Sequence, residues 1–214
     1  MASKALGTIA VHSVQASRVD ATGSPSAVVR VADSEFRRLA GLIFRRYPAW
    51  EWATFSRWGW RDTPEGLVTT LASLEPPSEG DMDASVGHVV IREPYSLRVA
   101  LQTSTHLLAV GVIHSHPEGG RTWASAVDDD MDHYYARYFG DFAPGRPYIS
   151  LIFSRTAEGV LSGSGRIYWK QMWHPVGRFL IEREHVVNDP RPINYIGSAS
   201  NSSSRENRRI DLQA

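Results

Sequence analysis

The sequence predicts an α/β (α+β) chain, and three observations carry that expectation. Leu107 to Ile113 is an unbroken apolar run of the length and composition of a strand buried on both faces. Downstream, Met131, Tyr134, Tyr135, Tyr138 and Phe139 recur at i, i+3, i+4, i+7 and i+8, the signature of one buried helix face. That helix is expected to begin near Ser125 and to stop at Gly140. Upstream, Asp33 to Tyr47 carries the stripe Phe36, Leu39, Ala40, Ile43 and Tyr47, with Asp33 as N-cap and Pro48 as terminator. A strand from Glu51 to Trp58 follows it.

The other elements fall between these anchors. Residues 1–24 read as an N-terminal extension, with an extra strand over Thr8 to Val14 and a Gly/Ser/Pro linker. The domain proper spans 25–186. Ala27 to Val31 is its first core strand, and Gly66 to Leu74 neighbours the Glu51 strand through a turn at Asp62 to Glu65. Pro76, Pro77 and the acidic stretch Glu79 to Asp83 form a loop before a strand over Val86 to Arg92 and a short helix over Tyr95 to Gln102. Pro147 to Phe153 is a core strand; Arg166 to Trp169 and Val176 to Glu182 pair around a Lys170 to Pro175 loop. Residues 187–214, rich in Asn, Ser, Pro and Arg, read as a mobile tail.

Composition narrows the function. The 214 residues, 42% hydrophobic, suffice for one sizeable core. With 23 basic and 23 acidic side chains the formal net charge is zero, which predicts neither a nucleic-acid nor an anionic-membrane partner. The absence of cysteine removes disulfides and thiol catalysis and suits the cytoplasm. No apolar run reaches eighteen residues, and neither a spanning helix nor a secretory signal is predicted.

The chemistry concentrates in His114-Ser115-His116-Pro117 and Ser125-Ala126-Val127-Asp128. If the apolar strand continues through His116, both imidazoles project to one side. Asp128 then lies in the first turn of the following helix, on a rigid element that can return toward them. Each half has an ordinary explanation: His-x-His is common on strands, and Ser-x-x-Asp is a good helix cap. Their succession as strand, Gly loop and helix points instead to a metal. Two imidazoles, one carboxylate and an open position describe a catalytic rather than a structural zinc site. Zinc lowers the pKa of bound water to about 7 and polarises a carbonyl. Such a site still needs a general base, worth about 10²–10⁴-fold.

These motifs resemble the signature of the JAB/MPN (JAMM) zinc metalloproteases, which include deubiquitinating isopeptidases. The resemblance implies a central mixed β-sheet flanked by helices, here with N- and C-terminal extensions. It implies that His114, His116 and Asp128 bind one zinc ion per chain and that Ser125 stabilises the oxyanion. It implies a catalytic Glu on the strand after the first long helix, where Glu51 stands, with Glu93 a later rival. Glu51 would take a proton from the attacking water and return it to the leaving amine. Asp128-Asp129-Asp130-Met131-Asp132, Tyr134-Tyr135 and Phe142 to Tyr148 also resemble the JAB proteins of bacterial ubiquitination-like (Bil) antiphage operons, over about Ala27 to Glu182. That implies deconjugation of a ubiquitin-like protein beside its activating and conjugating enzymes. The alternatives are a peptidase trimming a sulfur-carrier-like precursor, a non-catalytic MPN-type scaffold and, more distantly, a metal-dependent nuclease.

Three residue sets remain. Asp129, Asp130 and Asp132 read as a solvated helix N-terminus, with Asp132 best placed to support the ligands from behind. Among seven tryptophans, Trp50, Trp52, Trp58 and Trp60 suit sheet packing, whereas Trp123 lies in the loop between the ligands. His133 is expected on the helix surface, and His12, His88, His106, His174 and His185 read as structural.

Overall fold

The computed structural model describes residues 27–44, 50–117, 122–155, 161–182 and 208–210. The strand expected over Thr8 to Val14 lies outside them. The chain begins with β1 (Ala27–Ala32) and α1 (Asp33–Ile43), then β2 (Trp52–Thr63) and β3 (Gly66–Glu75). A small hairpin, β4 (Met82–Ala84) and β5 (Val89–Ile91), leads to α2 (Glu93–Thr105) and β6 (Ala109–Ser115). The remainder is α3 (Ala126–Phe142), β7 (Tyr148–Arg155), β8 (Leu161–Trp169), β9 (Met172–Glu182) and β10 (Arg208–Ile210).

The expected helix-flanked mixed sheet is not the architecture observed. The strands run in the order β1-β3-β2-β6-β7-β8-β9, and β1 pairs again with β9, closing a seven-stranded barrel. Among the described residues ten strands face only three helices, of 11, 13 and 17 residues. The closing strand is β1, which runs parallel to both of its neighbours. Closure gives the buried Val28 and Val29 backbone partners on both sides and leaves no open edge between β3 and β9. Arg30 and Glu182 form an ion pair across the seam.

Two apolar clusters cover the wall. One joins α1, through Phe36, Leu39 and Ile43, to Val29, Trp58, Ile113, Phe153 and Phe179 of the strands. The other joins α2 and α3, through Tyr95, Val99, Tyr135 and Phe139, to Phe55, Val110, Val112 and Tyr148. Strand alternation produces the split: Ala109 and Ile113 belong to the first cluster, Val110 and Val112 to the second. His114 follows the parity of Val110 and Val112, which is the side of the barrel on which α3 packs.

Several local expectations also change. The N-cap of α1 is Ala32; Asp33 is the first helical residue, where with Glu35 it complements the helix dipole, and it pairs with Arg37 one turn on. The helix closes at Ile43 with the Phe44 N–H on the Ala40 carbonyl. Gly140 does not stop α3, which runs on to Phe142 and buries Ala136 and Asp132 rather than Tyr134. The β8–β9 connection is only Lys170 and Gln171, both at positive φ (49° and 64°), so the pair is a tight hairpin in place of a six-residue loop. Within the tail expected to be mobile, Arg208–Ile210 pairs antiparallel with β9. No helix of the described residues is long and apolar enough to cross a membrane.

Candidate metal centre

β6 is buried along its whole length, flanked by antiparallel β2 and parallel β7. The strand proper ends at Ser115, but the ladder continues one residue further, because the His116 N–H donates to the Phe153 carbonyl at 2.8 Å. His116 therefore keeps the i+2 relation to His114. Their Nε2 atoms lie 3.1 Å apart.

α3 delivers the third group. Ser125 is its N-cap: the Asp128 N–H donates to Ser125 Oγ at 3.2 Å, and the Ser125 N–H donates to Asp128 Oδ2 at 2.7 Å. This reciprocal capping box fixes the Asp128 side chain in the plane where the histidines arrive. Asp128 Oδ1 is 3.2 Å from His114 Nε2, and Oδ2 is 3.3 Å from His116 Nε2. Burial pushes the Asp128 carboxyl upward, but hydrogen bonds with His114 and His116 outweigh it and hold the group far below the usual carboxylate range.

His114, His116 and Asp128 form the group, among the described residues, whose ligand atoms could hold one metal ion. A tetrahedral ion with ligands at about 2.0–2.1 Å separates its ligand atoms by about 3.3–3.4 Å. The 3.1 Å between the two Nε2 atoms is close to such an edge, and Asp128 turns a different oxygen to each histidine, Oδ1 to His114 at 3.2 Å and Oδ2 to His116 at 3.3 Å. Two imidazole nitrogens facing each other at hydrogen-bond distance, beside a carboxylate, are a donor set that a cation satisfies.

Glu51 immediately precedes β2, whose register sets Trp52 opposite Ser115 and Ala53 opposite His114. It is half-buried, and its N–H donates to the Ser85 carbonyl at 2.9 Å. Burial raises its pKa, an effect that His116 and His114 partly offset and that the Asp128 charge reinforces. Glu51, His116, Ser125 and Asp128 line one cleft of about 380 Å³, and Trp123 is on its rim, 55% exposed. Glu93 is instead the first residue of α2 and has no part in that lining.

Two side chains depart from expectation. His88 lines the same cleft, on the hairpin between β4 and β5, with Nδ1 2.7 Å from Ser85 Oγ. Nothing in its spacing from the motif announces this, since it comes from a separate hairpin. Asp132 is fully buried rather than solvated, and it contacts Arg166 and Tyr148 rather than the ligands themselves. His133 does lie on the helix surface, bonded to the Asp129 carbonyl and to Trp173. Of the clustered tryptophans, Trp58 is buried in the core, Trp52 and Trp60 pack against it, and Trp50 is 41% exposed.

No protein-family model matches the sequence, and no curated protein matches it. Among solved structures, a protein from Desulfitobacterium hafniense determined in solution aligns over 75% of this chain and 97% of its own, with 16% identity and a TM-score of 0.45.

Proposed function

We propose that the chain is a zinc-dependent peptidase or isopeptidase that cleaves after the C-terminal tail of a ubiquitin-like protein. One observation carries this reading: ligand atoms of His114, His116 and Asp128 lie close enough together to hold one ion, and His116 and Asp128 line a cleft that also receives Glu51. The order His-x-His, Ser-x-x-Asp, with a Glu at the start of an earlier strand, supports the resemblance to JAB/MPN proteases. The barrel does not follow the architecture that resemblance implied, so the proposal stands on the site.

When bound, zinc supplies Lewis acidity toward a carbonyl and acidifies water. His114 and His116 would hold it through Nε2, and Asp128 through its carboxylate. Glu51 carries the proton, from the attacking water to the leaving amine. Ser125 Oγ accepts the Asp128 N–H, and its own hydroxyl proton can still be given to a developing oxyanion. A donor set of two imidazoles and a carboxylate, with no thiolate, suits hydrolytic zinc. The Bil-like motifs support the substrate class, the accompanying activating and conjugating enzymes and an antiphage role, and the absence of cysteine suits a cytoplasmic setting.

The test has two stages. Elemental mass spectrometry should find about one zinc per wild-type chain and little in His116→Ala. Glu51→Gln should keep zinc and lose about 10²-fold or more of the cleavage of a ubiquitin-like fusion. A folded wild-type chain that takes up no metal would point to a non-catalytic scaffold. Retained cleavage in Glu51→Gln would remove Glu51 from the proton-transfer role.

A further inference from the structure

Behind Asp128, the inner face of α3 carries a charged network that the cleft does not use. Arg166, on β8, donates from Nε and one terminal nitrogen to Asp132 Oδ2 at 2.8 and 2.7 Å. Its other terminal nitrogen lies 2.5 Å from Asp129 Oδ1, a charge contact rather than an aligned hydrogen bond. Tyr148, on β7, donates its hydroxyl to Asp132 Oδ1 at 3.1 Å. The Arg166 guanidinium lies over the Trp173 ring, 4.6 Å from its centroid. Asp132 has no exposed surface, so both its oxygens are committed to these two partners.

The register of the sheet gives the network its meaning. Arg166 pairs with Ser150 on β7, and Ser150 pairs with Val112 on β6, two residues before His114. Tyr148 pairs with Val110 on the same strand. Both groups that grip α3 are thus tied through backbone ladders to the strand that carries the histidines. On the helix side, Asp129 adjoins Asp128 and Asp132 lies one turn beyond it. The network therefore fixes the distance between the two elements that must meet at the ion. An ion pair with one partner fully buried, as Asp132 is, is seldom worth more to stability than apolar packing of the same volume, and its best-attested use is to fix a geometry.

Resting on the metal reading above, we infer that Arg166, with Asp132 and Tyr148 as its partners, is a positioning residue that holds Asp128 at coordinating distance from His114 and His116. It touches neither metal nor substrate. Its removal should loosen the coordination without unfolding the barrel. Support at one remove from a metal is commonly worth about 10–100-fold in affinity.

The experiment is a chelator competition on the full chain, measuring the zinc dissociation constant, with the visible spectrum of the cobalt-substituted protein as a second readout. Arg166→Gln should weaken zinc about 10-fold or more and alter the cobalt spectrum. The sign is diagnostic: losing a nearby positive charge would by electrostatics alone tighten a cation. Arg166→Lys, which keeps the charge and loses the fork, should weaken zinc as well. Tyr148→Phe, which removes one hydroxyl and no charge, should shift affinity less and in the same direction, and it decides the matter if the arginine variants do not fold. If wild-type chain binds zinc and these variants melt earlier but bind it equally well, the network is structural only and the inference falls while the metal reading stands. If the wild-type chain binds none, both fall.

Discussion

α2 and α3 pack against the same apolar cluster, and each is tied to the barrel by one arginine from a strand. The two ties differ in kind. Arg57 of β2 donates to Thr103 Oγ1, the Val99 carbonyl and Gln102 Oε1, all in the second half of α2, and pairs with the part-exposed Glu75. Arg166 of β8 meets two carboxylates at the start of α3, one of them fully buried. Neutral acceptors at the closing end of a helix anchor its packing. Paired charges at the opening end of α3 hold the turn from which Ser125 and Asp128 project. The same residue type thus serves stability on one side and, in our reading, coordination geometry on the other.

The largest expected effect tests the first half of that contrast. Arg57→Met should lower the unfolding free energy by about 3 kcal/mol, near the lower end for a broken buried pair because Glu75 can rehydrate. Its zinc affinity, measured on folded protein, should equal wild type. Urea denaturation and chelator competition on one preparation give both numbers. A zinc constant that moves as far as in the Arg166 variants would erase the distinction between the two ties.

A second variant sharpens it from the strand both sides share. At Gly111, in the middle of β6, an added Cβ would lie 2.5 Å from the Ile149 carbonyl oxygen, 2.8 Å from Trp58 Nε1 and 2.9 Å from Ile149 Cβ. Trp58 Nε1 donates to Ser56 Oγ, which donates to the Gly111 carbonyl, so backbone and network must shift together. Gly111→Ala should cost about 1–3 kcal/mol. It should also weaken zinc, because His114 lies three residues along the displaced strand. Lost stability with unchanged zinc binding would show that the ligands tolerate movement of β6.

What the sequence disclosed follows the reach of the interactions concerned. The apolar run of β6 from Ala109, the i+2 histidines and the Ser125–Asp128 box are local patterns and are in the structure, whereas Leu107, expected to open that run, lies outside β6 and is exposed. Barrel closure is not local: Ala27 meets Val176 and Ala32 meets Glu182, partners about 150 residues away, and Val-Val-Arg-Val reads the same whether its strand is an edge or a seam. Asp132 was hidden for a related reason. In a run of four acids within five positions, only the facing residue tells which one is buried, and that residue is Arg166, 34 positions on. Its i+4 relation to Asp128 was the available clue. Gly140 misled because a glycine inside a helix costs only about 1 kcal/mol, which the packing of Phe139 offsets.

The smallest expected stability change separates the two roles that meet at Ser125. Its Oγ already caps α3 by accepting the Asp128 N–H at 3.2 Å, which by itself explains a serine at this position. Replacing an N-cap serine by alanine typically costs about 1 kcal/mol, whereas glycine costs only a few tenths. Ser125→Gly therefore leaves the helix start nearly intact while deleting the hydroxyl. If that hydroxyl stabilises an oxyanion, cleavage by Ser125→Gly should fall about 10²-fold or more with the melting temperature almost unmoved. If Ser125 is only a cap, the activities of Ser125→Ala and Ser125→Gly should follow their stabilities, with the glycine variant close to wild type. Ser125→Thr, which keeps both cap and hydroxyl, should retain activity under either account and so checks that the site tolerates a change there. The glycine variant is the informative one, because it removes the chemistry while sparing the fold.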